Sequence, residues 1–187
     1  AKRAREVIGR QVAQLSHLVN DLLDITRITR GKVQLHRQPL DLNETVARAV
    51  EDHRSLFEGT GVDLDFCPAR GVVPVLADPN RVTQIVGNLL HNAAKFTNRG
   101  GYATVSVETE KGEAVLRVSD NGVGMTPQTR ERLFEPFRQA EQTLDRNTGG
   151  LGLGLALVKG LVELHGGTVS AHSAGPGRGT AISARFP

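Results

Sequence analysis

An α+β architecture is what the 187-residue sequence predicts: a two-layer sandwich of one mixed sheet backed by helices, preceded by a long helix. Three observations carry this expectation. Apolar residues recur every seven positions through the first thirty residues, the pattern of a bundle or coiled-coil helix. Strand and helix patterns then follow in mixed succession, with neighbouring strands able to pair antiparallel, which argues against a doubly wound parallel sheet. The composition, 39% hydrophobic and 23% charged, is that of a folded chain and excludes wholesale disorder.

The opening helix carries Ile8, Leu15 and Leu22 at heptad spacing, with Leu18 and Ile25 at the complementary offset. Val12, Val19 and Leu23 widen the stripe and the polar Gln11 interrupts it. Such a stripe cannot be buried by one helix, so a partner is expected from another chain or from sequence outside this one. Residues 1–30 are thus read as an incomplete bundle and residues 31–187 as one domain. Gly31 stops the helix, and residues 32–38 alternate Val33 and Leu35 with polar side chains, which predicts a short strand. After Pro39, Asp41 with Glu44 three residues on predicts a capping box, and its helix runs to about residue 58 before Gly59 or Gly61. Residues 62–67 and 72–77 read as strands. Asp78-Pro79 opens a long helix with Val82, Ile85, Val86, Leu89, Leu90 and Ala93 at helical period. Residues 102–109 and 114–119 form a hairpin around Lys111-Gly112, and residues 126–149 have no clear period. A helix over 155–164 and strands over 168–172 and 181–186 close the chain.

Charge and residue usage exclude several functions. The formal net charge is only +3, and residues 1–40 hold more than all of it. Trp is absent, with one Tyr and six Phe, so a stacking platform for nucleic acid is not expected. The single cysteine, Cys67, excludes an internal disulfide and any multi-cysteine zinc site. No apolar run approaches the roughly 18–20 residues of a membrane-spanning helix.

The 21 glycines gather in three places: Asp120-Asn-Gly122-Val-Gly124-Met125, then Gly149-Gly150-Leu151-Gly152-Leu153-Gly154-Leu155, then Gly175-Pro-Gly177-Arg-Gly179-Thr180. The middle cluster runs into a helix, where main-chain N–H groups and the positive helix end suit a phosphate. A plain flexible turn is the alternative. It is neither a Walker A loop nor a dinucleotide fingerprint, since Gly-x-x-x-x-Gly-Lys-Ser/Thr is missing and Gly150 and Gly152 are followed by Leu155. Asp120 ends an apolar strand, where it is either a turn former or an acceptor for an exocyclic amine. Asn88 and Asn92, four apart, share a helix face with Lys95 and Phe96 beyond them. They are either solvated polar residues or, through a neutral amide oxygen, a Mg²⁺ ligand beside a phosphate-neutralising lysine.

Taken together the segments resemble the sensor histidine kinase family, within the ATPase superfamily shared with DNA gyrase, MutL and the large heat-shock chaperones. Gln84-Ile-Val-Gly-Asn88-Leu-Leu-His-Asn92-Ala-Ala-Lys95-Phe96-Thr97 is similar to that family's asparagine box. Asp120–Met125 resembles its first glycine box, Leu133-Phe134-Glu-Pro-Phe137 its phenylalanine box and Gly150-Leu-Gly-Leu-Gly154-Leu its second glycine box. Gly177-Arg-Gly-Thr180 is similar to its final Gly-x-Gly-Thr, and Leu18-Val-Asn-Asp-Leu-Leu-Asp-Ile25 to the second helix of its dimerisation and phosphoacceptor bundle. The resemblance spans essentially the whole chain.

It implies a Bergerat-type fold holding MgATP between the asparagine-box helix and a lid over about 126–150. Asp120 would bind the adenine amine, with Gly122, Gly124, Met125 and Thr180 nearby. Asn92 would coordinate Mg²⁺, with Asn88, Lys95 and Phe96 toward ribose and phosphates. Gly150, Leu151, Gly152, Leu153, Gly154 and Leu155 would line the phosphates with backbone amides. Phe134 and Phe137 would pack the lid, and Asn88, Lys95 and Gln139 would serve the transfer itself. The partners implied are ATP, a response-regulator receiver domain and a second copy of the chain through the stem, in a cytoplasmic region whose parent is soluble or anchored in the inner membrane.

Three departures qualify this. Leu151 stands where the family often has Thr or Ser, which removes a hydroxyl contact to phosphate and supports the alternative of a non-catalytic module of the same fold. Asn88 stands where the hydrolytic cousins carry a Glu, and an amide is no general base, which favours phosphoryl transfer over hydrolysis. None of the histidines has the acidic residue and Pro that follow the family's acceptor. His17 continues into Leu-Val-Asn-Asp, and no His-Glu-x-x-His occurs. The acceptor helix is therefore expected upstream of Ala1.

Overall fold

The computed structural model describes residues 2–138 and 151–187, and in the first helix the side chains of Gly9, Val12, Leu15, Ser16 and of residues from 19 onward. Helix α1 (Lys2–Thr29) leads into β1 (Gln38–Asp41), α2 (Leu42–Thr60), β2 (Asp63–Cys67), β3 (Pro74–Ala77) and α3 (Pro79–Phe96). The hairpin β4 (Tyr102–Glu110) and β5 (Glu113–Asp120) follows, then the short α4 (Pro127–Glu131), α5 (Gly154–Leu164), β6 (Thr168–His172) and β7 (Thr180–Phe186). The five-stranded sheet has the order β2-β4-β5-β7-β6, with β2 and β4 parallel and the other neighbours antiparallel, so the expected mixed sheet is present. A separate antiparallel pair joins β1 to β3.

Alternation along the strands decides which face is covered. Ala103, Val105 and Val107 of β4, Leu116 and Val118 of β5, and Ile182, Ala184 and Phe186 of β7 are buried together. They meet Val46, Ala49, Val50 and Phe57 of α2, Ile85, Leu89 and Leu90 of α3, and Leu157, Val158 and Leu161 of α5. Helices α2, α3 and α5 therefore cover the same face of the sheet. A buried Leu, Val or Phe of this set contributes about 1.5–3 kcal/mol relative to exposure.

Local signals explain the helix ends. Asp78 caps α3 by accepting from the N–H groups of Asn80 (3.0 Å) and Arg81 (3.3 Å), with Pro79 in the first turn. Gly61, at φ 69°, closes α2 in the left-handed conformation and settles the choice between the two glycines. The cap at Asp41 differs from expectation. Its Oδ1 accepts from both Asn43 and Val73 N–H groups at 3.0 Å, tying α2 to the β1–β3 pair, and no bond from Glu44 closes the box.

Two further expectations are corrected. Residues 32–37 form no strand, because their polar groups bond elsewhere: the His36 N–H donates to Asp78 Oδ2 at 3.0 Å and the Arg37 guanidinium to the Leu164 carbonyl. The stem also finds part of its partner within the chain. Ile25 joins the domain's core, Ile28 packs against Gly160, and Asp24 accepts from Arg81 (2.9 Å) and Gln84 (2.8 Å). Val12, Leu15, Val19, Leu22 and Leu23 stay exposed. The side chains of Ile8, Gln11, His17 and Leu18 lie outside the described residues.

Candidate functional site

The polar face of α3 is built by its own turns. The Asn88 amide donates to the Gln84 carbonyl at 3.1 Å and the Asn92 amide to the Asn88 carbonyl at 2.9 Å. Each asparagine thus uses its N–H one turn back and keeps its carbonyl oxygen as an acceptor. Asn88 is buried and Asn92 half-buried. One turn on, the Lys95 ammonium lies 5.0 Å from the centre of the Phe96 ring, a cation–π contact, and burial pushes its pKa below the usual lysine range.

The second glycine cluster arrives against this face. A Cβ built on Gly154 would stand 3.0 Å from Asn88 Oδ1 and 3.8 Å from Asn92 Nδ2, so the first residue of α5 seats on both asparagines. Leu153, before it, gives no side-chain cap bond, so among the described residues no cap side chain occupies the first-turn amides of α5, the kind of group that suits an anion. Leu153 is buried and Leu155 partly so, whereas Leu151 is exposed. Gly152 has φ 69°, and a Cβ there would overlap the Arg138 carbonyl, so the start of α5 and the end of the 127–138 segment touch through glycine alone.

Asp120 ends β5 beside Thr180 at the start of β7. Burial pushes its carboxyl above the usual range, and the N–H groups of Gly122 and Thr180, which it accepts, pull it back in part. The Gly122 N–H lies 2.9 Å from Asp120 Oδ1, and the Val123 N–H donates to the Phe96 carbonyl at 3.0 Å, joining the first glycine cluster to the end of α3. Gly124, at φ 63°, passes so close to Gly175 that a side chain would strike its carbonyl oxygen. Ser173 holds this junction: its hydroxyl accepts the Met125 N–H at 3.1 Å and donates to the Gly179 carbonyl at 2.7 Å.

The first two glycine clusters therefore meet the second half of α3, and the third packs against the first. Among the residues named from the sequence, Asn88, Asn92, Lys95, Phe96, Asp120, Gly122, Gly124, Met125, Gly152, Leu153, Gly154, Leu155 and Thr180 fall on that junction or on the elements that form it. Phe134 packs partly against the core, and Phe137 is exposed at φ 62°, with residues 139–150 of the lid that it is expected to pack lying outside the described residues. Gln139, Gly150 and most of the expected lid lie outside the described residues. Ser173 was not anticipated. A lone serine just after a strand end, two residues before Gly175, carries no sequence signal of its own.

The junction fits Mg²⁺ in one particular way. Among the described residues no three His, Cys, Asp or Glu side chains gather as a metal site. A magnesium ion held by one amide oxygen, such as that of Asn92, would draw its other ligands from phosphate oxygens and water, which suits this ion.

Residues 77–187 match the family described as histidine kinase-, DNA gyrase B-, and HSP90-like ATPase. The chain belongs to this family. A sensor-like histidine kinase of Rhizobium meliloti is 39% identical to this chain over 183 residues, covering 97% of this chain and 34% of its own. Histidine protein kinase DivJ of Caulobacter vibrioides is 38% identical over 182 residues, 97% of this chain and 30% of its own. The chain spans about a third of the length of these curated relatives. Full-length ShkA, solved in complex with AMPPNP, matches 100% of this chain and 39% of its own with a TM-score of 0.84 at 29% identity. Within the family the likeness is to the ATP-binding catalytic domain of histidine kinases.

Proposed function

We propose that this ATPase domain binds MgATP between α3 and the N-terminus of α5, and that it moves the γ-phosphoryl group to a histidine on a bundle helix outside this chain. A lone pair of the imidazole nitrogen would attack phosphorus, the bond to the β–γ bridging oxygen would break, and ADP would leave. The imidazole N–H proton would pass to water or to a base on the acceptor helix. The phosphoryl group would then pass to an aspartate of a receiver domain.

The observation that carries this reading is the seating of Gly154 on Asn88 and Asn92, which brings the first-turn backbone amides of α5 to the amide oxygens. Asn92 would hold Mg²⁺, and that ion, when bound, offsets phosphate charge. The amides of Gly152 to Leu155 would hold the phosphate oxygens even though Leu151 brings no hydroxyl. Lys95 and Gln139 would add charge and hydrogen bonds there. Asp120 would accept the adenine amine, flanked by Gly124, Met125 and Thr180. Catalysis is then positioning and charge neutralisation. Because Asn88 offers an amide where a general base would stand, transfer to an oriented acceptor outruns hydrolysis by water. The exposed Val12, Leu15, Val19 and Leu22 of α1 would pair with a second copy of the chain.

Asn92→Ala tests the assignment directly. The variant should keep its circular dichroism spectrum and lose magnesium-dependent binding of a non-hydrolysable ATP analogue. Unchanged magnesium dependence in a folded variant would remove Asn92 from the metal.

A further inference from the structure

His165 lies at the opposite end of the α3–α5 pair from the glycine–asparagine junction. It is 3% exposed, and its ring meets Phe186 edge-on, with centroids 5.8 Å apart at 81°. Nδ1 stands 2.7 Å from the Leu161 carbonyl oxygen, and Nε2 stands 3.1 Å from the Asp78 backbone nitrogen. A carbonyl only accepts and a backbone N–H only donates, so the imidazole is neutral, with its proton on Nδ1 and its lone pair turned to Asp78. Phe or Leu would fill the same core volume. What distinguishes the imidazole is the acceptor that it offers.

That acceptor grips a junction. Asp78 is the residue that caps α3, and its carboxylate also accepts the His36 N–H, while Arg37 bonds the Leu164 carbonyl beside His165. The end of α5, the start of α3 and the segment leaving α1 are thus fastened at one point. At the other end of the same pair, about 15 Å along α3, Gly154 rests on Asn88 and Asn92. The two helices run antiparallel, with a polar contact at one end, the glycine contact at the other, and buried apolar side chains of both in the core between. A rotation at the His165 end therefore shifts the amides of α5 relative to the asparagines.

We propose that His165 is a positioning residue for nucleotide binding and phosphoryl transfer: by joining Asp78 to the end of α5 it sets the spacing between the asparagine pair and the glycine-rich start of α5. The proposal rests on the nucleotide reading given above. It acts through backbone geometry, with no contact to substrate required.

Calorimetric titration with a non-hydrolysable ATP analogue and Mg²⁺ tests it on the wild-type chain, His165→Phe and His165→Gln, each checked for fold by circular dichroism. The Gln amide oxygen reaches the place of Nε2 and restores an acceptor for Asp78. Wild type and His165→Gln should bind alike, and folded His165→Phe about tenfold more weakly. Wild-type affinity in His165→Phe, or equal weakening in both variants, would overturn the proposal. Absence of binding by the folded wild-type chain would instead remove the nucleotide reading, and the proposal with it. Should His165→Phe not fold, hydrogen exchange on the wild-type chain decides. Saturating nucleotide should slow the Asp78 amide and those of residues 161–167, and unchanged exchange there would overturn the proposal.

Discussion

At Asp120 two opposed effects meet on one side chain. Burial raises the cost of its charge, and the Gly122 and Thr180 N–H groups recover part of it, leaving the carboxyl above its usual range. A carboxylate held at a strand end with its charge only partly offset is suited to accept from a ligand amine. Asp120→Ala should weaken adenine nucleotides about tenfold or more, the scale of a lost hydrogen bond to a charged group. Inorganic triphosphate, which has no amine, should bind the variant as it binds the wild type in the same competition assay. Equal losses for both ligands would show that Asp120 shapes the pocket without reading the base. Gly152 makes a second residue-scale case. Its φ of 69° and its contact with the Arg138 carbonyl leave no room for Cβ, so Gly152→Ala should lower thermal stability by about 1 kcal/mol or more. Stability equal to wild type would mean that the 138–152 contact is dispensable.

Between elements, the decisive contacts are polar and few. Asp24 accepts from Arg81 and Gln84 in a half-buried setting, and this pair is what orients the end of α1 on α3. Asp24→Ala should reduce stability to urea by about 1–2 kcal/mol, more than an exposed pair contributes and less than a fully buried one. A midpoint unchanged from wild type would mean that Ile25 and Ile28 hold α1 unaided. The His165 bond between α5 and α3 has a pH signature. Burial pushes this imidazole below the usual range of about 6.5. The Leu161 carbonyl and the Asp78 carboxylate favour its charged form, and the Arg37 guanidinium opposes it. Below about pH 6.5 the unfolded chain therefore binds a proton that the folded chain resists. Stability is full above that pH and declines as the pH falls below it. His165→Gln should remove this part of the decline, seen by comparing urea midpoints at about pH 7.5 and about pH 5.5. Parallel declines in both proteins would assign the effect to other groups.

At the scale of the whole molecule, what could be read in advance was whatever depends on local pattern. The heptad stripe of α1, the period of α3, the Lys111-Gly112 hairpin and the three glycine clusters are each set by neighbours in sequence, and the sheet and the site follow from them. Residues 32–38 misled because alternation predicts extended backbone and says nothing of its bonding. Here the partners are Asp78 and Leu164, both remote in sequence. The docking of Ile25 and Asp24 was hidden for the same reason, since a helix stripe does not reveal which of its residues meet the chain's own domain. Ser173 and His165 stand in runs with no motif of their own, and only the three-dimensional crossing gives them bonds. Phe137 is named through resemblance alone, since no local pattern in the sequence marks it.

The glycine clusters gathered at the end of α3 and at its asparagines are proposed to make a magnesium-dependent nucleotide site. Calorimetric titration of this chain with a non-hydrolysable ATP analogue, with and without Mg²⁺, addresses it most directly. Binding should saturate at one site per chain and weaken sharply when magnesium is withheld. No binding by a chain shown to be folded, or equal affinity with and without magnesium, would contradict it.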